Sequence, residues 1–156
     1  MLSASWGRVV ALTLGVCAVD RVTKLVAAGR LAEGQSIPLI PDIFHLTLVF
    51  NTGGAFGLLK DQRLFFIPFA LAAIACIIYC LYRYRPTGIL MTSAFGLIMG
   101  GAFGNLIDRV RYGYVIDFFD FRVWPVFNVA DSAITIGAVL LVVSVLTRHA
   151  RGAAHT

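Results

Sequence analysis

GGAFGNLIDRVRYGYVIDFFDFRVWPVFNVADSAITIG, residues Gly100 to Gly137, holds four of the chain's eight acidic residues: Asp108, Asp117, Asp120 and Asp131. Apolar runs flank the stretch on both sides, each close to the ~20 residues a bilayer requires. A carboxylate at the edge of a bilayer is expensive to desolvate, so every acid here is a functional candidate by default. The fold class follows from the flanks and the chemistry from the acids.

The composition agrees with the flanks. Apolar residues make up 59% of the 156 residues and charged residues only 13%. A soluble chain of this length could not bury so much apolar side chain, whereas a bilayer can. One domain over residues 1–156 is expected. The net charge of +5 does not point to nucleic acid, because no Lys/Arg cluster interleaves with polar residues along one face. Cys17, Cys76 and Cys80 all lie inside apolar runs. An odd number of thiols at membrane depth, with no adjacent histidine, excludes a disulfide framework and a Cys/His metal site. No metal and no cofactor are expected.

Outward from the central stretch, the pattern is an all-α membrane protein of four transmembrane helices with a small extramembrane sheet between helices 1 and 2. The spacing predicts helices over about 6–28, 64–82, 88–107 and 128–146. Helix 1 is read as uncleaved. Its Leu14-Gly15-Val16-Cys17 has the outline of a lipoprotein cleavage box, but bulky Val16 before the cysteine spoils it. Asp20 and Lys24, four apart, share a helix face as an ion pair. Between about 33 and 60 the pattern changes. Pro38, Pro41 and the glycines break any helix, while Phe44 to Phe50 is rich in β-formers. Asn51-Thr52-Gly53-Gly54-Ala55-Phe56-Gly57 then marks a turn. In helix 3, Gly96, Gly100 and Gly104 recur at spacing four, a ladder that admits close helix neighbours.

Orientation rests on basic residues. The side with both termini and the 83–87 loop carries Arg8, Arg83, Arg85, Arg148 and Arg151 and no acid. The other side carries eight basic residues and all eight acids, but Arg21, Lys24 and Arg109 are read as site residues rather than topology signals. Both termini are therefore expected in the cytoplasm, with the acids facing outward.

Four helices bring the acids to one membrane face. Two carboxylates within about 3 Å cannot both ionise and share a proton. One then activates water as a base while the other polarises a peptide carbonyl. Asp117, between Ile116 and Phe118, has no local basic partner and is costly in an apolar setting. Duller readings stand beside it. Asn128-Val129-Ala130-Asp131 has the form of a helix cap with a dipole-favoured acid, and Asp108-Arg109 and Asp120-Phe121-Arg122 have the form of interfacial ion pairs. Spacing ranks an Asp117/Asp131 pair first, Asp108/Asp131 second, and leaves open that there is no pair.

Five blocks carry a more specific signal: Asp20-Arg21-Val22-Thr23-Lys24, Asn51 to Gly57, Gly101 to Arg109, Val115-Ile116-Asp117-Phe118, and Phe127 to Ala133. In this order they resemble the motifs of lipoprotein signal peptidase (signal peptidase II), over about Val9 to Leu146. The resemblance implies a bacterial inner-membrane, multi-pass aspartic endopeptidase with an extramembrane β-cradle. It further implies that the enzyme removes signal peptides from diacylglyceryl-modified prolipoproteins, cutting before the lipidated cysteine. By motif, the catalytic pair falls on Asp117 and Asp131. Asp20, Lys24, Asn51, Gly53, Asn105, Asp108, Arg109, Asn128 and Ala130 fall on the supporting and substrate-binding surround, with Arg109 placed to neutralise Asp108. Gly54 departs from the family's usual Ala. The expected partners are lipid-modified prolipoproteins and membrane lipids, with no nucleic acid, and the expected state is a monomer. A proton or ion carrier is the rival class. It would need polar residues at several membrane depths, which the centres of helices 2 and 4 lack. A packing scaffold would leave Asp117 unexplained.

Overall fold

The computed structural model describes residues 4–53 and 63–153. The order is α1 (Ala4–Arg30), β1 (Ser36–Ile40), β2 (Phe44–Asn51), α2 (Arg63–Tyr84), α3 (Ile89–Tyr112), β3 (Val115–Asp120) and α4 (Val129–Ala153). The chain is mostly helical with one three-stranded sheet. The turn expected at Gly54 to Gly57 and the last part of the 33–60 segment lie outside the described residues.

Among the described residues three helices are long and apolar enough to cross a membrane: Phe66–Tyr84, Ile89–Tyr112 and Val129–Arg148. Helix α1 has the length, at 27 residues, but carries Arg8, Asp20, Arg21 and Lys24 along it. Helix α3 is the hub, packed against α1, α2 and α4. The glycine ladder explains how it gets so close. A Cβ on Gly96 would stand 2.7 Å from the Leu12 Cβ, and one on Gly100 would stand 2.6 Å from the Val16 Cβ. On the α4 side, a Cβ on Gly101 would run into the Ala130 carbonyl oxygen. Side chains at these positions would force the axes apart and strand the neighbouring contacts.

Helix α3 runs five residues past the expected Ile107, to Tyr112. Apolar periodicity stops at Ile107, but Asp108, Arg109 and Arg111 are all compatible with helix. The stop is Gly113, whose φ of 83° places it in the left-handed region while its N–H donates to the Arg109 carbonyl at 3.1 Å. That is a C-terminal cap that glycine adopts without strain. Asp108 therefore sits a full turn inside the helix rather than at its end.

The sheet is antiparallel in the order β1-β2-β3. Its third strand was not expected. Asp117, between the helices expected over 88–107 and 128–146, lies in β3, paired with Val49 of β2, while Asn51 pairs with Val115. Nearly all of β3 is buried, and a strand buried on both faces shows no alternation to betray it. Residues after β3 fold back along it: the Phe127 carbonyl accepts from the N–H groups of Phe118 (3.0 Å) and Phe119 (2.8 Å). This delivers Asn128 and the start of α4 to the same place as Asp117.

Two apolar clusters hold these pieces. Val9, Ile77, Leu81 and Phe95 join the helices at the end away from the sheet. Leu31, Leu48 and Ile116, with Ala27, Phe50, Tyr112 and Tyr114 against them, form a seam between the end of α1, the sheet and the end of α3.

Candidate active site

Asp20, Lys24, Asp108, Asn128 and Ala130 have no solvent exposure at all, and Asp117 and Asn105 very little. So many buried polar groups require partners, and they find them in each other. At the base, the Lys24 ammonium contacts Asp20 Oδ2 and Asp108 Oδ2, both at 2.8 Å. Arg21 Nη2 donates to Asp108 Oδ1 at 2.8 Å. The Asp20–Lys24 pair expected from sequence is present. The pairing of Arg109 with Asp108 is not. Arg21 and Lys24, one turn apart on α1, reach Asp108, while Arg109 points the other way, its guanidinium 5.0 Å above the Phe66 ring. An adjacent residue on a helix points about 100° away, so sequence neighbours make poor partners there.

Asp20 also reaches α4, where its Oδ1 accepts the Ala130 N–H at 3.0 Å. That satisfies one of the orphan amides at the helix start. Ala130 is small because Gly101 and Gly104 press against it.

From this base a chain of amides leads upward. Lys24 Nζ donates to Asn105 Oδ1 at 3.0 Å, and Asn105 Nδ2 donates to Asp131 Oδ1 at 2.7 Å. Asn128 Nδ2 donates to Asp117 Oδ1 at 2.6 Å and reaches Asn105 Oδ1 at 3.1 Å. From the sheet, Asn51 Nδ2 donates to Asp117 Oδ2 at 2.9 Å. Its own Oδ1 is held by the Gly53 N–H at 3.0 Å. Asn128 and Asp131 form a reciprocal cap: the Asp131 N–H donates to Asn128 Oδ1 (3.0 Å) and the Asn128 N–H to Asp131 Oδ2 (3.2 Å). The duller reading of Asp131 as a cap is therefore true, and it fixes the carboxyl in the site.

Asn51, Gly53, Asn105, Arg109, Asp117 and Asp131 line one cavity of about 220 Å³, walled by Val115, Thr135 and the Trp124–Phe127 segment. A broader apolar groove of about 560 Å³, lined by Phe121, Val123, Trp124, Phe127 and Ile136, also reaches Asp131. Asp117 and Asp131 are thus brought together. Asp108 is not available as an alternative partner, because its oxygens are taken by Arg21, Lys24 and, at 3.4 Å, the Ile116 N–H. Burial first, and then the charge of Asp131, push the Asp117 carboxyl up to about 7, against the pull of the Asn51 and Asn128 hydrogen bonds and of Lys24. Asp120 behaves oppositely. Burial would raise it, but donors on Thr47 and Arg122 hold it below the usual carboxylate range, as suits the ion pair expected with Arg122 (3.1 Å). Among the described residues no His/Cys/Asp/Glu group is arranged to hold a metal ion.

The wall of Trp124 to Phe127 is not among the site residues expected from sequence. Its part in the cavity depends on the chain folding back through Phe127 to pair with Phe119, a reversal that no turn motif announces. Pro125 among aromatics was the one available hint.

Comparison with known proteins bears on the family and the fold. A family profile described as Signal peptidase (SPase) II matches residues 12–147. Lipoprotein signal peptidase of Halothermothrix orenii is 47% identical over 131 residues, 84% of this chain and 90% of that protein. The Desulfitobacterium hafniense protein of the same name is 48% identical over 86% of this chain and 91% of its own. The Cupriavidus pinatubonensis one is 47% identical over 88% and 82%. A solved structure described as a bacterial membrane enzyme, determined by the in meso method at 2.3 Å resolution, superposes with a TM-score of 0.87 at 32% identity. It covers 93% of this chain and 91% of that one. With its three apolar helices, the chain is a multi-pass membrane protein, and on these matches it belongs to the signal peptidase II family.

Proposed function

We propose that this protein is an intramembrane aspartic endopeptidase that removes the signal peptide from diacylglyceryl-modified prolipoproteins, with Asp117 and Asp131 as the catalytic pair. The observation that carries the reading is a single cavity holding both carboxyls, bridged by Asn128 and lined by Asn51, Asn105 and Arg109. One carboxylate takes a proton from water as the water oxygen attacks the scissile carbonyl, while the other, protonated, donates to the carbonyl oxygen. The C–N bond then breaks. The nitrogen keeps the electron pair and takes the proton held by the first carboxyl, and the second recovers its own as the new carbonyl forms. Arg109 at the rim counters the negative charge that builds on the intermediate.

The apolar groove that shares Asp131 suits the substrate's apolar segment and acyl chains, with the cut falling before the lipidated cysteine. In this reading α1 is the fourth span, its charges neutralised pairwise inside the bundle instead of facing lipid. Both termini are cytoplasmic, the sheet and cavity face outward in the bacterial inner membrane, and a monomer suffices because every site residue comes from one chain. Asp117→Asn and Asp131→Asn, each purified in detergent, should lose about four orders of magnitude in cleavage of a lipidated peptide while keeping the wild-type melting profile. Cleavage surviving in either would end the assignment.

A further inference from the structure

Both carboxyls of the pair receive donors only, so hydrogen-bond counting on the pair does not reveal which one carries the shared proton. The amides that feed them are more informative. Lys24 has three N–H donors and no acceptor, so Asn105 must turn its oxygen toward Lys24, the contact seen at 3.0 Å. Its Nδ2 is thereby committed to Asp131 Oδ1 at 2.7 Å. Asn128 is pinned likewise, its oxygen by the Asp131 N–H at 3.0 Å. Asp131 further lies in the first turn of α4, where the helix dipole favours negative charge. Asp117, on a strand, has no such dipole.

The charged surroundings among the described residues are these. Helix α1 contributes Asp20, Arg21 and Lys24, α3 contributes Asp108 and Arg109, β3 Asp117 and α4 Asp131; β2 contributes only the Asn51 amide. Asp20, Arg21, Lys24 and Asp108 balance in formal charge. The base therefore acts on the pair mainly through the direction it imposes on Asn105, not through a net field.

We propose that Lys24 is a positioning residue that keeps the shared proton on Asp117 and leaves Asp131 as the ionised base, by holding the Asn105 amide with its oxygen toward α1. This rests on the reading of Asp117 and Asp131 as the catalytic pair. Asp131 then takes the proton from water and Asp117 donates to the carbonyl oxygen. The raised Asp117 carboxyl agrees with this order.

The test titrates each carboxyl alone. Difference infrared spectra of Asp117→Asn and of Asp131→Asn, each against the double variant, isolate the carboxylic acid band of the remaining partner. Asp117 alone should lose its proton at higher pH than Asp131 alone; the reverse order overturns the proposal. The same pair of titrations is then repeated in an Asp20→Asn/Lys24→Met background, which keeps the base neutral and so protects folding. There the gap between the two should narrow, because Asn105 keeps only the Asn128 amide to hold its oxygen in place. An unchanged gap removes Lys24 from the account. In the otherwise wild-type enzyme, Asp20→Asn/Lys24→Met should lower kcat about tenfold and move its pH profile, whereas loss of packing alone would leave the profile in place. The infrared order is read without turnover, so failure of the peptidase reading and failure of this proposal are separately visible.

Discussion

In the proposed mechanism Asp117 is the residue whose environment sets the working pH. Its carboxyl is pushed up to about 7 by burial and by Asp131, while an unfolded chain would release that proton near ~3.9. The folded state thus favours the protonated form. This contribution to stability is complete below about pH 4 and is lost as pH rises through 7. The proposed mechanism needs one proton on the pair, so kcat/KM for a lipidated peptide should fall on the alkaline side with a limb near 7; a profile flat from pH 6 to 9 would contradict it. Asp108 makes a different prediction. Asp108→Asn leaves Arg21 and Lys24 buried against a neutral amide, and breaking a buried pair costs about 3–5 kcal/mol. Thermal unfolding in detergent should show a large drop in Tm, where Asp117→Asn shows little. Much of this was readable from sequence, because a charged residue in an apolar run must be paired or functional. The sequence did not show which cation serves which acid. Arg109 stands next to Asp108 in the chain, but helix geometry turns the two apart and gives Asp108 to α1.

At the scale of elements, the helix crossings depend on absent side chains. Gly101 faces the Ala130 carbonyl and Gly104 faces Asp20 Oδ2, where a Cβ would come within 2.6 Å. Gly101→Val should cost about 1–3 kcal/mol through overpacking and depress turnover more than Tm, because α4 carries Asp131; parallel melting and cleavage measurements separate the two effects. The ladder at Gly96, Gly100 and Gly104 was legible because spacing four puts residues on one helix face. Strand β3 was not. An acid inside Val115-Ile116-Asp117-Phe118 interrupts the apolar run, and the strand's partner, β2, lies more than sixty residues earlier. Only the pairing of Asn51 with Val115 and Val49 with Asp117 makes the segment a strand.

On the whole-molecule scale, the apolar surface is arranged for lipid. Val139, Val142 and Leu146 stand more than half exposed along α4, with no charge between Asp131 and Arg148. An arginine at Val142 should cost about 3 kcal/mol of membrane insertion, seen as a fall in the inserted fraction in a glycosylation-mapping assay. Among the described residues three helices declare themselves by hydropathy, whereas α1 carries charges, of which Asp20 and Lys24 are buried against its neighbours; only the fold reveals where those two go.

The seam of Leu31, Leu48 and Ile116 carries one more consequence. In the proposed mechanism one reacting acid rides on the sheet and the other on α4, which packs against α3, so their registry depends on the glue that holds the sheet to α1 and α3. A small greasy wedge driven into that glue would tilt the strand and pull one carboxyl out of step with the other. Hydrolysis would fall silent with every reacting group chemically untouched, and an inhibitor of that kind would owe nothing to mimicry of the peptide.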